Sequence, residues 1–123
     1  MIAYTTIGTN DLPRAAAFYD VLLGEIGAGR AMDFGRFIAY AAAQGGPMFA
    51  VCTPWDGQPA VVGNGAMVSL AAENPAAVDR LYAKALELGA TDEGAPGVRG
   101  GMFYVGYFRD LDGNKLNFFC PAA

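Results

Sequence analysis

An internal repeat of about sixty residues constrains the fold of this chain more than any other feature. Residues 4–7 align with residues 67–70 at an offset of 63, and residues 48–52 align with residues 116–120 at an offset of 68. The apolar helical positions also align at an offset of 63, with Ala15, Phe18 and Tyr19 falling on Val78, Leu81 and Tyr82. Two copies in one chain predict two similar modules that pack on each other, and a binding cleft commonly forms where such modules meet.

Length and composition exclude several classes of protein. The 123 residues suit one compact domain, and 54% hydrophobic residues provide enough apolar surface for a core. The net charge is −4 and the eight basic residues are scattered, so we expect no nucleic-acid partner. No apolar run is long enough to cross a membrane, so we expect no membrane partner. Because the first residues read as a strand rather than a signal peptide, we expect a cytosolic (cytoplasmic) location.

Two cysteines, Cys52 and Cys120, occupy matching positions at the ends of matching strands. One interpretation is a disulfide between them. We favour the other interpretation, in which both are small buried side chains that stay reduced in the cytosol.

Each copy reads as a strand, a helix and further strands, in a module spanning 1–53 and a module spanning 64–121, joined by a linker at 54–63. Prolines in the first helical turn and polar caps before them mark both helix starts. The predicted elements of the first module are a strand at 2–8, a helix capped by Asn10 or Asp11 and ending near Gly24, and a hairpin of strands 36–42 and 47–53. Those of the second module are a strand at 65–71, a helix capped by Asn74 and ending at Gly89, a glycine-rich loop at 94–101, and strands 102–109 and 115–120.

Two motifs at the expected ends of the chain give this pattern a family resemblance. Residues 7–12 lead into an Ala-Phe-Tyr segment at 17–19, and residues 107–116 contain an aromatic–Asp–x–Asp–Gly–Asn hairpin. With the repeat, they resemble the vicinal oxygen chelate superfamily, which includes glyoxalase I, extradiol dioxygenases, and bleomycin and fosfomycin resistance proteins. The resemblance implies an α+β fold with two βαβββ modules in tandem, a curved eight-stranded sheet, a central cleft and outer helices. It also implies a homodimer, a prediction that exposed apolar residues on the 54–63 linker support.

The same resemblance identifies where a metal would bind. The ligand positions of the metal-dependent members correspond here to Tyr4, Phe49, Met67 and Asn117, where the family usually has His at the first and third positions and Glu at the last. The chain contains no histidine. Because divalent metals prefer imidazole and carboxylate ligands, we expect no metal and no other cofactor.

Strand alternation identifies the side chains that would face the cleft. None of the carboxylates falls mid-strand on the inward side, so the cleft has no obvious general base, while Cys52 and Cys120 are expected to point toward the helices. Asn117 is the leading candidate for a ligand contact, because it is a polar residue on an otherwise apolar strand. The predicted ligand-binding residues are Tyr4, Thr6, Phe49, Met67, Ser69, Tyr107, Asn117 and Phe119.

Three functional classes remain open. In the first class, the chain binds a small, uncharged or weakly anionic organic molecule in a metal-free cleft. In the second, it is a glyoxalase-like lyase or isomerase that works without the usual metal ligands, with Tyr4 and Tyr107 as proton donors. The third class is a scaffold whose cleft has filled with side chains. Sequence favours binding, which needs only shape and a few polar groups. Arg99 and Arg109 face either an anionic ligand or solvent, and Trp55 is a lid, a dimer contact or a loop anchor.

Overall fold

The computed structural model describes residues 1–122 and divides the chain into two compact units, Met1–Val62 and the residues from Gly63 onward. Within residues 1–122, each unit contributes four strands and one helix in the order βαβββ, and the two four-stranded sheets are not closed. This confirms the predicted α+β fold with two tandem modules. No helix in the described part of the chain is long and apolar enough to cross a membrane. The elements are β1 (Tyr4–Gly8), α1 (Leu12–Gly24), β2 (Gly29–Asp33), β3 (Phe37–Ala41), β4 (Met48–Cys52), β5 (Val68–Ala71), α2 (Pro75–Glu87), β6 (Thr91–Arg99), β7 (Phe103–Arg109) and β8 (Lys115–Pro121).

Both helices begin at the polar caps that the sequence predicts. The Asp11 carboxylate accepts a hydrogen bond from the Arg14 backbone N–H at 3.1 Å before α1. The Asn74 side chain accepts one from the Ala77 N–H at 2.8 Å before α2. These bonds satisfy backbone donors that have no partner within the helix.

The first sheet has the strand order β1-β4-β3-β2, with β1 and β4 parallel and the other pairs antiparallel. The ring of Tyr19 on α1 lies 5.0 Å from the ring of Phe49, and Tyr40 Oη donates toward the Ala16 carbonyl at 3.2 Å. Phe49 and Tyr40 therefore lie on the face of this sheet that packs against α1. In each unit we call this side the helix face and the opposite side the distal face.

The second sheet repeats this order as β5-β8-β7-β6. Phe108 and Phe118 stack with ring centroids 5.6 Å apart and are fully buried on the helix face, while Tyr104 Oη donates to Asp79 of α2 at 2.8 Å. Because side chains alternate along a strand, Asn117 lies on the distal face.

Strand β4 is shifted by one residue from its predicted alignment with β8. Thr6 pairs with Ala50 in the first sheet, and Ser69 pairs with Asn117 in the second. Thr6 and Ser69 are equivalent in the repeat, so Ala50, and not Phe49, is the equivalent of Asn117. The offset between the last strands is therefore 67 rather than 68.

This shift changes the face on which the β4 side chains lie, because a slip of one residue moves each side chain to the other side of a sheet. Phe49 and Val51 are buried on the helix face, which corrects the prediction that they face a cleft. Cys52 pairs with Phe37 on the distal face and is partly exposed, so its predicted orientation toward the helix is also wrong. Cys120 is buried on the helix face as predicted, and both thiols are free.

The glycine-rich segment predicted as a loop at 94–101 is largely strand. Residues 91–99 form β6, which pairs with β7 through a register that shifts on either side of Gly94. A side chain at Gly94 would place its Cβ 3.1 Å from the Tyr107 ring, so the close approach of the two strands favours glycine. Pro96 is tolerated because β6 is an edge strand, where one face of the backbone needs no partner.

The segment predicted as a linker at 54–63 is fastened to the first unit at Ala60. The Asn10 side chain accepts a hydrogen bond from the Ala60 N–H at 2.7 Å and donates to the Ala60 carbonyl at 3.3 Å. A Cβ at Gly8 would lie 2.9 Å from the Ala60 Cβ. These contacts bring the segment back across the end of β1.

Candidate functional site

The distal face of the first unit carries a pocket of about 450 Å³ built mainly from aromatic and thioether side chains. Each of the four strands of this unit contributes one residue to the pocket. The remaining residues come from the segment between β2 and β3 and from the segment after β4. Tyr4 and Phe37 pack edge to face with centroids 5.9 Å apart, and Phe34 lies 6.2 Å from Phe37. We call this the aromatic pocket, and its lining residues are Tyr4, Met32, Phe34, Arg36, Phe37, Met48 and Trp55.

One charged side chain, Arg36, lines the aromatic pocket. Its Nη1 donates to the Thr53 carbonyl at 2.6 Å, and its guanidinium carbon lies 5.0 Å from the centre of the Trp55 ring. The carbonyl and the ring together fix the plane of the guanidinium, because a cation is attracted to the face of an indole. Trp55 is itself 87% exposed, so this pair forms an accessible edge of the pocket.

A second depression in the first unit, about 750 Å³, lies beside the start of α1 and has more charged residues in its lining. Two of these residues, Arg30 and Asp33, already contact each other, and Arg36 lines both this depression and the aromatic pocket. Arg30 forms two 2.9 Å contacts to Asp20 and a 3.5 Å contact to Asp33. These partners lower the pKa of Asp20, with the Arg30 hydrogen bond as the main cause. The depression is therefore a weaker candidate for a ligand site than the aromatic pocket.

On the distal face of the second unit, the Asn117 side chain is buried and hydrogen-bonded. Its Oδ1 accepts a 2.6 Å bond from Ser69 Oγ, and its Nδ2 donates to the Met67 sulfur at 3.7 Å. The protein itself therefore supplies hydrogen-bond partners for Asn117. A ligand that bonds to Asn117 would compete with Ser69, although the long contact to sulfur leaves the Nδ2 group weakly held.

Tyr107 lies next to Asn117 on the same face, close to two basic side chains. The Arg99 guanidinium carbon lies 5.9 Å and the Lys115 Nζ 5.3 Å from the centre of the ring. Arg109 is engaged with Glu93 at 3.0 Å, a hydrogen bond that lowers the pKa of Glu93. Of the two arginines predicted to face a ligand or solvent, Arg109 thus pairs with a carboxylate and Arg99 covers an aromatic ring.

The eight predicted ligand-binding residues lie in three places. Tyr4 and Thr6 lie exposed on β1 of the first unit, and only Tyr4 lines the aromatic pocket. Phe49 is on the helix face. The other five share the distal face of the second unit: Met67, Ser69, Tyr107, Asn117 and Phe119.

Sequence reasoning missed most of the aromatic pocket. Phe34 and Arg36 lie between β2 and β3, and Met32 lies on β2, a strand that was not individually assigned. The close spacing of Phe34 and Phe37 was an available signal. The correct register of β4 would have placed Met48 rather than Phe49 beside them.

The residues at the family's metal positions do not fit a metal. After the register correction these positions hold Tyr4, Ala50, Met67 and Asn117. Alanine has no donor atom, thioether sulfur is a poor ligand for hard or borderline cations, and Asn117 Oδ1 is occupied by Ser69. Within residues 1–122 no three His, Cys, Asp or Glu side chains come together as a ligand group.

Tyrosine–aspartate pairs occur in the structure, but they stabilise the fold. Tyr40, Tyr82 and Tyr104 donate to Asp20, Asp92 and Asp79, respectively, each at 2.8 Å. Burial, followed by the hydrogen bond to Asp20, raises the pKa of Tyr40 well above its usual range. Within the described residues, neither Tyr4 nor Tyr107 donates to a carboxylate, so the predicted proton donors have no paired base in the structure.

Comparisons with known proteins agree with the fold. Residues 1–118 match the Glyoxalase/Bleomycin resistance protein/Dioxygenase superfamily. The chain is similar to a glyoxalase/bleomycin resistance protein from Albidiferax ferrireducens, with 36% identity over 97% of each chain and a TM-score of 0.88. A lactoylglutathione lyase from Agrobacterium tumefaciens is 22% identical over 97% of this chain and 92% of that one, with a TM-score of 0.72. A family enzyme from Burkholderia phytofirmans is 17% identical over 95% of each, with a TM-score of 0.76. At such identity the last two show the fold alone. No curated protein sequence matched the chain.

Proposed function

The chain belongs to the Glyoxalase/Bleomycin resistance protein/Dioxygenase superfamily, and from its residues we propose that it binds a small organic molecule in a site that needs no metal. The aromatic pocket is the observation that carries this proposal. At about 450 Å³ it falls within the range of roughly 300–1,000 Å³ typical of small-molecule sites.

The chemistry of the lining favours binding over catalysis. The aromatic rings and methionines offer dispersion contacts, and Met side chains adapt to the shape of a ligand. No carboxylate, cysteine or lysine is among the residues that line the pocket, so the commonest general bases are absent from the lining.

A direct test uses Trp55, the single tryptophan of the chain. Its indole N–H gives one resolved peak in a two-dimensional 1H–15N NMR spectrum. We expect aromatic members of a fragment library to shift this peak saturably and to raise the melting temperature.

The variant Phe34→Ala should weaken binding because it removes a pocket wall. It should hardly affect stability, since Phe34 is 72% exposed. The matched control is Met102→Ala, which removes a 66% exposed apolar side chain in the second unit and should leave binding unchanged. If no library member moves the Trp55 peak, or if the two variants weaken binding equally, the aromatic pocket is not the binding site.

The wider prediction from sequence, that residues of both modules line one cleft, can be tested with the same ligand. Asn117→Leu removes a buried polar group, and its partner Ser69 is exposed enough to bond water, so the fold should persist. Loss of binding in this variant would support a contribution from the second unit. Unchanged affinity would limit the site to the first unit.

A further inference from the structure

We infer that the aromatic pocket selects a planar aromatic or conjugated molecule that carries a carboxylate or a similar oxyanion. This inference rests on the proposed function and names the chemical class of its ligand. The geometry of Arg36 relative to the pocket rings points to that class.

The apolar part of the pocket suits a flat ring. Tyr4 and Phe37 meet at an interplanar angle of 89°, so they offer two walls at right angles. Phe34 and Phe37 lie closer to parallel, at 30°. A planar ligand can lie against one ring face while its edge meets another, the two arrangements that aromatic groups prefer.

The polar part of the pocket is the Arg36 guanidinium, which has more N–H donors than its protein contact uses. Arginine has five N–H donors in a fixed plane, and the protein contact to Thr53 engages only Nη1. The contact with the Trp55 ring restrains the group without consuming a donor. A carboxylate in that plane would accept two parallel hydrogen bonds, a geometry that an amide or an alcohol cannot match.

Within residues 1–122, Arg36 forms no ion pair. Asp33, three residues before Arg36, and Asp56, next to Trp55 in the chain, have other partners. Asp33 accepts from the Gly35 N–H and contacts Arg30, while Asp56 accepts from the Gln58 N–H.

The overall charge of the chain strengthens the test of selectivity. At a net charge of −4 the protein as a whole repels anions, so non-specific attraction cannot account for a preference for acids. A preference would have to arise from local cations, and Arg36 is the one that lines the pocket.

The experiment compares 2-naphthoate with its neutral, nearly isosteric amide, 2-naphthamide, by titration of the Trp55 indole peak in the intact chain. We expect the acid to bind about tenfold more tightly, the factor that one charge-assisted hydrogen bond typically supplies. The preference should shrink as salt is raised, because a partly exposed ion pair is screened. This comparison needs no variant.

A pair of variants then assigns the preference to one residue. Arg36→Gln should bring the acid-to-amide ratio to about one while leaving amide affinity nearly unchanged. Arg80→Gln, which removes an exposed arginine on α2, should keep the tenfold ratio.

Three results would overturn the inference. They are equal binding of acid and amide to the unmodified protein, an acid preference that survives Arg36→Gln, and a Trp55 peak that moves with protein concentration but with neither ligand. The first two leave the proposed function standing, because a molecule still binds the pocket. The third means that a second copy of the chain covers the pocket, and the fragment screen then decides the proposed function separately.

Discussion

Replacing Asp110 by alanine should lower the free energy of unfolding by about 3 kcal/mol. The Asp110 carboxylate closes the turn between β7 and β8 and is only 6% exposed. Its Oδ1 accepts 2.9 Å bonds from the backbone N–H groups of Asp112 and Asn114, and its Oδ2 accepts a 3.1 Å bond from the Asn114 side chain.

The magnitude follows from which hydrogen bonds the substitution removes from buried donors. Asn114 is also 6% exposed, so its two donors cannot easily turn to water, whereas Asp112 is less buried and can. A hydrogen bond to a charged group contributes roughly 1.5–3 kcal/mol. Two such losses at the lower figure give about 3 kcal/mol, and a fall in melting temperature of roughly 10 °C or more for a chain of this length.

The assay is urea denaturation followed by circular dichroism, with Glu87→Gln as the control. The Glu87 side chain is 69% exposed and contacts Lys84 at 3.3 Å on the surface, so its loss should change stability by less than about 0.5 kcal/mol. Asp110→Asn keeps Oδ1 as an acceptor and should fall between the two. A loss below about 1 kcal/mol for Asp110→Ala would refute the reasoning, because the carboxylate would then not hold the turn.

Three further predictions concern pH, metals and assembly. Since Arg30 lowers the pKa of Asp20 in the folded state, this pair stabilises the protein above the ordinary aspartate pKa of 3.8 and ceases to do so as pH falls through the lowered value; Asp20→Asn should therefore flatten the acid limb of a stability–pH curve. Purified protein should contain no stoichiometric Zn, Ni, Mn or Fe by elemental analysis, and a chelator should not change its melting temperature; one tightly bound metal per chain would contradict this. Light scattering at micromolar concentration should give the mass of a homodimer, as the exposed Trp55 and the 85% exposed Val61 suggest, and a clean monomer mass would count against it.

The parts of the fold that sequence predicted well are those with local physical signals. Asp11 and Asn74 cap helices whose apolar residues recur every three to four positions, and both helices begin and end close to the predicted residues. Such signals act within a few residues, so one sequence is enough to find them.

The register of β4 could not be predicted because residues 48–52 are all apolar. Register is set by alternation between a buried and an exposed face, and an apolar residue at every position removes that contrast. Strand β8 retains the contrast, since Asn117 interrupts its apolar run, and its faces were assigned correctly. The wrong register also gave a wrong site residue, because Met48 and not Phe49 faces the aromatic pocket.

The remaining pocket residues could not be predicted from the sequence for a different reason. Arg36 and Trp55 lie on connecting segments, where side-chain direction follows from turns and long-range contacts and not from a repeating period. The 2.6 Å bond from Arg36 to Thr53, seventeen residues away, has no signature in the sequence.

The bulged strands at the sheet edges have a consequence for behaviour in concentrated solution. β2 and β6 each lie at one edge of a sheet, and each has an interrupted register, between Arg30 and Met32 in β2 and around Gly94 in β6. A straight edge strand offers a row of unpaired N–H and C=O groups that strands of other molecules can extend into fibrils. Irregular edges, one of them carrying Pro96, are poor templates for such growth. A chain this rich in apolar residues can therefore expose aromatic side chains without promoting strand-by-strand aggregation at these edges.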